Sequence, residues 1–321
     1  MGKIVEDGIR ILADKATIEI NPFDRVLEKA ELKQYLKDVE GTVLGGDQCD
    51  REVINAAKRL KVIGRHGVGY DNVDLEAATE NGIVVTYTPD VNTNAVAEHT
   101  MALFLSLVRK IPFADASMRA FRWEGLKFVG NELAQKKLGI IGLGRIGCEV
   151  AKRASAFGMK VVCFDKYQSP EVAKKLGVVD VAFHQLLAES DIISIHTALT
   201  EETRGMLGSH EIDLMKRSAY LVNTARGAIV DGKALREALQ RKRIAGAALD
   251  VFDKEPLERS DPLLKLENVI LTPHIGAYTM EAIRKMDVMV AEDVGRALEG
   301  KIPQHVANTE VLSLDNIRLK T

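Results

Sequence analysis

Apolar and polar positions along this chain keep switching between two periods. Short apolar runs, the signature of strands buried on both faces, alternate with stretches in which apolar residues recur at helical spacing. Before residue 90 the pattern predicts a helix over 6–15, a short strand over 17–20, a helix over 24–37, a strand over 42–45, a helix over 51–60, a strand over 61–64, a helix over 75–80 closed by Asn81-Gly82, and a strand over 83–86. From residue 138 onward, strands recur at LGIIG, KVVCFD, DIISIH, AYLVNTA, IAGAALDVF and NVILTPH, with helical patterns between most of them. Such alternation is the mark of the α/β class, here two doubly wound parallel sheets with helices on both faces.

Between the two sets lies a helical stretch, 94–110, apolar on most of its circumference through Val96, Met101, Leu103, Phe104, Leu105, Leu107 and Val108. A helix of that kind is buried on several sides, which suits a crossing between domains or a subunit interface. Residues 111–137 read as a loop, with Trp123 packing it down beside Phe121 and Phe128. The final helix, 280–299, is expected to return to the first domain. The divisions are then 1–92 with 285–321, and 93–284.

The sharpest local signal is Leu138 to Gly147, LGIIGLGRIG. An apolar strand runs into Gly142, Gly144 and Gly147, and a helical pattern follows. In a dinucleotide site the first glycine permits the tight turn, the second lets a pyrophosphate approach the backbone, and the third lets the helix lie against its strand. The helix start then presents N–H groups and a positive dipole end to phosphate. The next strand ends on Asp165, 18 residues after Gly147, near the spacing of the carboxylate that takes the adenosine ribose hydroxyls. An acid there repels a 2′-phosphate and favours NAD over NADP; Lys166 beside it weakens that discrimination.

Composition narrows the classes. A chain of 321 residues exceeds a typical single core. Forty-four basic and 46 acidic residues, net charge −2, make no electrostatic case for nucleic acid or an anionic membrane. Cys49, Cys148 and Cys163 have no metal-ligand spacing and fit a reducing cytoplasm. The charged start MGKIVEDGIRIL has no signal-peptide core, Glu6 stands at the myristoylation position, and no apolar run reaches a membrane span.

Three reactive side chains follow strands of the second sheet: Arg226, Glu255 and His274. In such sheets ligands bind beyond the carboxyl ends of the strands, so one crevice can receive all three. Together they suit a 2-keto acid. Arg226 can hold a carboxylate in a bidentate fork. His274 can give a proton to the developing alkoxide and take it back in oxidation. Glu255 can stabilise the imidazolium form. Singly, each has a plainer reading, as a turn cap, a solvated loop acid and a loop histidine. His196 also ends a strand and competes as acid/base, but it lacks an evident acidic partner and is read as part of the cofactor's surroundings. His99 is read as an interface or packing residue, and His184, His210 and His305 as surface groups.

These residues, with GLGRIG, LVNTARGAIVDGKALREALQ, AGAALDVFDKEP, TPHIGA, GVGYDNVDLEAAT and the NAVAEH helix, resemble the D-isomer-specific 2-hydroxyacid dehydrogenases over nearly the whole chain, most closely the phosphoglycerate dehydrogenase branch. The resemblance implies a Rossmann NAD domain inserted in a flavodoxin-like substrate domain, a cleft that closes on its ligands, and usually a homodimer. It places the catalytic set at Arg226, Glu255 and His274. Cofactor contacts fall at Thr88, Arg145, Ile146, Asp165, Thr197, Thr224, Ala225, Asp250 and Gly276, and the substrate carboxylate at the amides of Val68 and Gly69 with Arg65 nearby.

Departures bear on substrate. His66 stands where the branch usually has alanine, Tyr278 where a small residue is usual, and Gly125 where an arginine is usual. The last weakens the case for a phosphate-bearing acid, although Arg65 and Lys127 remain to receive an anionic tail. The chain stops at 321, so no C-terminal regulatory domain is expected, and the family's first strand is expected to be missing or very short. 3-Phosphoglycerate, hydroxypyruvate and glyoxylate are the candidate acids or their keto counterparts. A redox-sensing corepressor with a similar site is the rival from another class.

Overall fold

The computed structural model describes residues 6–23, 25–167 and 170–320. The chain divides into two compact units, 1–92 with 278–321, and 93–277. The return falls at 278 rather than 285 because the last long helix belongs whole to the first unit.

In the first unit, helices α1 (Glu6–Ala13), α2 (Lys29–Leu36), α3 (Arg51–Ala56) and α4 (Leu75–Glu80) alternate with β1 (Gly41–Leu44), β2 (Val62–Arg65) and β3 (Val84–Thr86). The strands pair in parallel in the order β1-β2-β3, and Val306 adds an antiparallel bridge to Thr86. Strand geometry sends successive side chains to opposite faces. Ile63 and Val85 therefore join Leu32, Leu36, Val53 and Ala77 of α2–α4, while Val62 and Val84 join Val290 and Val294 on the opposite face. Asp50 and Asp74 start α3 and α4 by accepting from backbone N–H groups of the first turn.

Two expectations fail here. Residues 17–20 form no strand: Ile18 packs into the Val290 cluster, but Ile20 is half-exposed, and Pro22 follows with no donor to give. The helix expected over 24–37 starts only at Lys29, where Glu28 and Glu31 form a capping box. The expected shortening of the first strand falls on residues 1–5, outside those described.

The second unit carries seven parallel strands: β4 (Lys137–Ile141), β5 (Lys160–Phe164), β6 (Val179–Asp180), β7 (Ile192–Ile195), β8 (Tyr220–Asn223), β9 (Gly246–Leu249) and β10 (Val269–Leu271), in the order β10-β9-β8-β7-β4-β5-β6. Its helices are α5 (Thr93–Val108), α6 (Ile111–Arg119), α7 (Arg145–Ala156), α8 (Pro170–Lys175), α9 (Phe183–Glu189), α10 (Ser209–Leu214) and α11 (Gly232–Gln240). Ile140 packs with Met101, Phe104 and Val150 on one face. Ile141, one residue on, packs with Leu186, Ile212 and Leu235 on the other. The apolar circumference of α5 is spent inside this unit, against α7 and strands β8–β10. The last helix, α12 (Met280–Leu298), lies on β1–β3 of the first unit.

The sequence pattern missed β6, a two-residue edge strand, and read 111–137 as loop where α6 forms behind Pro112. Trp123 does not pack that stretch down. It is 87 % exposed, with Phe121 at 100 % and Leu126 at 92 %, beside half-exposed Ile111 and Met118.

Candidate active site

Strand order in the second unit reverses between β4 and β7, which is where an open parallel sheet leaves a crevice at its carboxyl edge. The glycine turn sits at that point. Gly142 has a φ of +93°, and any Cβ on it would press on the backbone of His196 and Thr197 just beyond β7. A Cβ on Gly147 would collide with the Gly142 carbonyl oxygen. At Gly144, by contrast, a Cβ would meet nothing within 4 Å, and no side chain caps α7 behind it. The turn is thus tight where chain meets chain and open where a phosphate would approach, with Arg145 and Ile146 opening the helix.

Asp165 follows β5. Its carboxylate accepts from Leu143 N–H at 2.7 Å and from Tyr167 N–H at 2.9 Å, which ties it to the glycine turn itself. Lys166 turns to Glu202 at 2.9 Å, with Tyr167 donating to the same carboxylate. A local acid therefore already balances its charge, and the weakening of NAD preference expected from Lys166 is reduced. These features fit a dinucleotide with free ribose hydroxyls.

Next along the edge, Asn223 at the end of β8 shapes the turn that carries Arg226. Its side chain accepts from Ala225 N–H at 3.0 Å and donates to the Arg226 carbonyl at 2.8 Å. Arg226 in turn donates from Nη1 to the Ala225 carbonyl at 2.7 Å. A Cβ on Gly227 would collide with the Phe252 carbonyl, so this turn lies directly on the loop that leads to Glu255. Glu255 bends back to accept from Phe252 N–H at 2.9 Å with one oxygen. Its other oxygen lies 2.7 Å from His274 Nδ1. His274 has a φ of +54°, uncommon for a residue with a Cβ, and its N–H is shared between the carbonyls of Asp250 and Thr272. Among the described residues, its Nε2 has no hydrogen-bond partner. Both side chains are partly exposed.

Behind this pair Asp250 is almost fully buried. It accepts from the Thr272 hydroxyl at 2.6 Å and from the N–H groups of Ile275 and Gly276 at 2.9 and 2.8 Å. His99 of α5 lies 3.3 Å from it and 3.2 Å from the Thr272 hydroxyl. Burial opposes ionisation, but His99, Thr272 and the two amides together hold the carboxyl below its ordinary range. Asp250 and Gly276 thus fix the segment that carries His274. Thr224 pairs its hydroxyl with Thr100 at 3.0 Å. His99 and Thr100 were not legible as site residues, because nothing in chain order brings α5 to the strand ends; Asn223 and Thr272 stand at strand ends but carry no titratable group to mark them. His196 is bonded to Ser194 at 2.8 Å, and burial pushes its imidazole down to about 3; it stays neutral near pH 7 and is unfit to donate a proton there.

The first unit carries its own candidate loop. Thr88 is fully buried; its hydroxyl accepts from Gly67 N–H at 3.0 Å and its own N–H returns a bond to the Gly67 carbonyl. Arg65 donates to Asn72 at 3.0 Å and to the His66 carbonyl. His66 places Nε2 2.7 Å from Asp287 of α12, a residue 2 % exposed at the side chain. The contact is an ion-pair distance without hydrogen-bond alignment. Among the described residues, the N–H groups of Val68 and Gly69 donate no hydrogen bond.

Residues 101–276 match the family model of the D-isomer specific 2-hydroxyacid dehydrogenase, NAD binding domain. The chain is 46 % identical over 305 residues to D-3-phosphoglycerate dehydrogenase of Methanocaldococcus jannaschii, covering 94 % of this chain and 57 % of that one. It is 42 % identical over 319 residues to glyoxylate reductase of Thermococcus litoralis, covering 97 % and 96 %. The chain thus spans about half the length of the phosphoglycerate dehydrogenases it matches and nearly all of that glyoxylate reductase. Among solved structures, D-lactate dehydrogenase from Aquifex aeolicus complexed with NAD and lactic acid superposes with a TM-score of 0.84 at 33 % identity, covering 95 % of this chain and 96 % of that one. The matched segment and the relatives of 42–46 % identity show that the chain belongs to the D-isomer-specific 2-hydroxyacid dehydrogenase family.

Proposed function

We propose that this chain is an NAD-dependent oxidoreductase interconverting a D-2-hydroxy acid and its 2-keto acid. The observation that carries the reading is the Glu255–His274 pair at 2.7 Å, with Nε2 left open, at the carboxyl edge of a sheet whose glycine turn suits a dinucleotide. NAD, when bound, supplies or accepts the hydride. Gly144, Arg145, Ile146 and Asp165 would hold it, with Thr197, Thr224 and Ala225 lining the turns on either side.

The chain's own groups handle charge and protons. Reduction puts a proton on the carbonyl oxygen; His274 gives it from Nε2, and Glu255 on Nδ1 fixes the ring and stabilises the imidazolium beforehand. In oxidation the same nitrogen takes the proton back. Arg226 pairs with the substrate carboxylate and polarises the adjoining carbonyl. In the first unit the open amides of Val68 and Gly69 are suited to an anionic oxygen, with Arg65 and His66 shaping their loop.

3-Phosphoglycerate and its keto acid are one substrate pair. The alternative is an unphosphorylated acid such as glyoxylate or hydroxypyruvate. The second reading is favoured by Lys127, which is paired with Glu124 at 2.6 Å, and by Gly125, which adds no charge. NADH oxidation against phosphorylated and unphosphorylated 2-keto acids decides between them. NADH binding without turnover of any of them would overturn the enzyme reading in favour of a corepressor-like sensor.

The assembly we assign is a homodimer, in the cytoplasm, where three free thiols are stable. Phe121, Trp123, Leu126 and Val129 are all exposed within nine residues of chain, and full burial of a side chain such as Phe121 or Leu126 would stabilise by about 1.5–3 kcal/mol. Trp123 is the only tryptophan, so its emission should shift to the red when the protein is diluted to monomer. A monomer at every concentration overturns the assignment.

A further inference from the structure

Away from the catalytic edge, three metal-ligating side chains converge on the surface of the second unit. His184 lies in the first turn of α9, and His210 and Glu211 in the first turn of α10. One ligand atom from each lies within 4.8 Å of the others. Among the described residues this is the one such group of three. The other acid–histidine clusters are committed: Glu255 to His274, Asp250 to His99, Asp287 to His66, and Asp293 to His305.

We propose that His184, His210 and Glu211 form a site for a divalent transition-metal ion of the Zn2+ type. Neither imidazole makes a hydrogen bond or ion pair with any described residue, so the nitrogens of both rings are uncommitted. Their ring centres stand 6.0 Å apart, edge to face at 81°, which keeps a nitrogen of each within reach of a single ion. Glu211 accepts from Gly208 N–H at 3.1 Å with Oε2, and that bond holds the carboxylate in place while its other oxygen stays available.

The two helices are fixed from beneath. Leu186 and Leu187 anchor α9, and Ile212 anchors α10, all fully buried in one core cluster. Phe183 supports His184 with ring centres 5.9 Å apart and leans on Phe164 at 5.2 Å. Ligand bonds of about 2.0–2.2 Å set tetrahedral ligand atoms about 3.3–3.6 Å apart, so binding requires the two exposed imidazoles to turn inward from their present spacing.

The donor set chooses the ion. Two imidazole nitrogens and one carboxylate oxygen suit Zn2+, Ni2+ and Cu2+, whereas Ca2+ and Mg2+ require oxygen-rich shells. Three protein ligands leave the fourth position to water. The ion would join α9 to α10 and stabilise the folded unit by mass action.

The test uses the full chain, without an affinity tag and freed of metal, titrated with Zn2+ by calorimetry and with Co2+ by visible absorption. We expect one equivalent bound, a rise in melting temperature with Zn2+, and visible Co2+ bands of low-coordinate geometry. His184→Ala and His210→Ala should each weaken binding about tenfold or more, since losing a ligand costs at least as much as losing a group behind one. Both residues are exposed, so the metal-free melting temperature and NADH oxidation rate should be unchanged in the variants. Absence of Zn2+ binding overturns the site. So does binding that survives both substitutions, which would place the metal on one of the committed pairs.

Discussion

The two units handle their reactive side chains in opposite ways. At the carboxyl edge of the seven-stranded sheet, backbone and buried groups hold the side chains still and leave a working atom open. Asp250 ties down the segment around His274, Asn223 shapes the Arg226 turn, and among the described residues His274 Nε2 has no hydrogen-bond partner. In the loop after β2 the side chains themselves are consumed. Arg65 goes to Asn72 and the His66 carbonyl, His66 faces Asp287, and Thr88 holds Gly67. What is left open there is backbone, the amides of Val68 and Gly69. Side chains with tunable protonation suit bond-making, while fixed N–H dipoles suit holding an anion whose charge does not change. A bulky His66 in place of a small residue is thus accommodated by turning it to a buried acid.

The largest break in this comparison is His274→Ala. It should lower kcat about 10³-fold while the NADH dissociation constant, measured by fluorescence titration, stays within a few-fold. Glu255→Gln removes the charge but, with one acceptor oxygen in place of two, can keep the hydrogen bond to the ring only by giving up Phe252 N–H, and should cost less than His274→Ala. If turnover survives His274→Ala, the proton passes elsewhere. His196 does not inherit the role, because it remains neutral until about pH 3.

Gly227→Ala tests how closely the Arg226 turn must lie on the Glu255 loop. Its Cβ would meet the Phe252 carbonyl and the Asp253 nitrogen, backbone atoms that cannot rotate away. Overpacking of this kind costs about 1–3 kcal/mol, so the midpoint of urea unfolding should fall and kcat with it. An unchanged midpoint would mean the two loops separate freely.

The first unit predicts a smaller change. His66→Gln removes the imidazole but leaves the Val68 and Gly69 amides, so KM for the keto acid should move less than about tenfold, under 1.4 kcal/mol, with kcat nearly unchanged. A collapse of kcat would mean His66 takes part in the chemistry and would remove the contrast between the units.

How much of this was readable follows from what carries it. Gly142, Gly144, Gly147 and Asp165 lie within one strand–turn–helix–strand unit, so spacing alone placed them at one turn. Arg226, Glu255 and His274 each follow a strand of the same sheet, and parallel topology gathers such positions at one edge. His99 and Thr100 were not readable as partners of Asp250 and Thr224, because a helix reaches the strand ends through packing that leaves no periodic trace. The fate of Trp123 was misread for a related reason. An aromatic in a polar stretch carries the same local pattern whether it closes a core or faces outward, and only the position of α6 separates the two. The strand expected at 17–20 had the right alternation but pairs with no described strand, and pairing is a property of the sheet rather than of the run.

The smallest predicted effect concerns acid. His196 in the folded chain binds a proton only near pH 3, against about 6.5 for an unperturbed histidine. Between those values the unfolded chain holds a proton there that the folded chain lacks, so stability rises with pH through this window and is lost on acidification. The contribution is complete above about pH 6.5 and, because the residue still reaches solvent at its margin, amounts to about 1 kcal/mol between pH 7 and 5. His196→Gln removes the titration while keeping a polar group beside Ser194. Urea unfolding at pH 7 and at pH 5 should show the variant losing less stability on acidification than the parent, even if it starts lower. Equal losses would mean that the ring takes up a proton in the folded chain, and would restore His196 as a group able to exchange protons at the edge of the site.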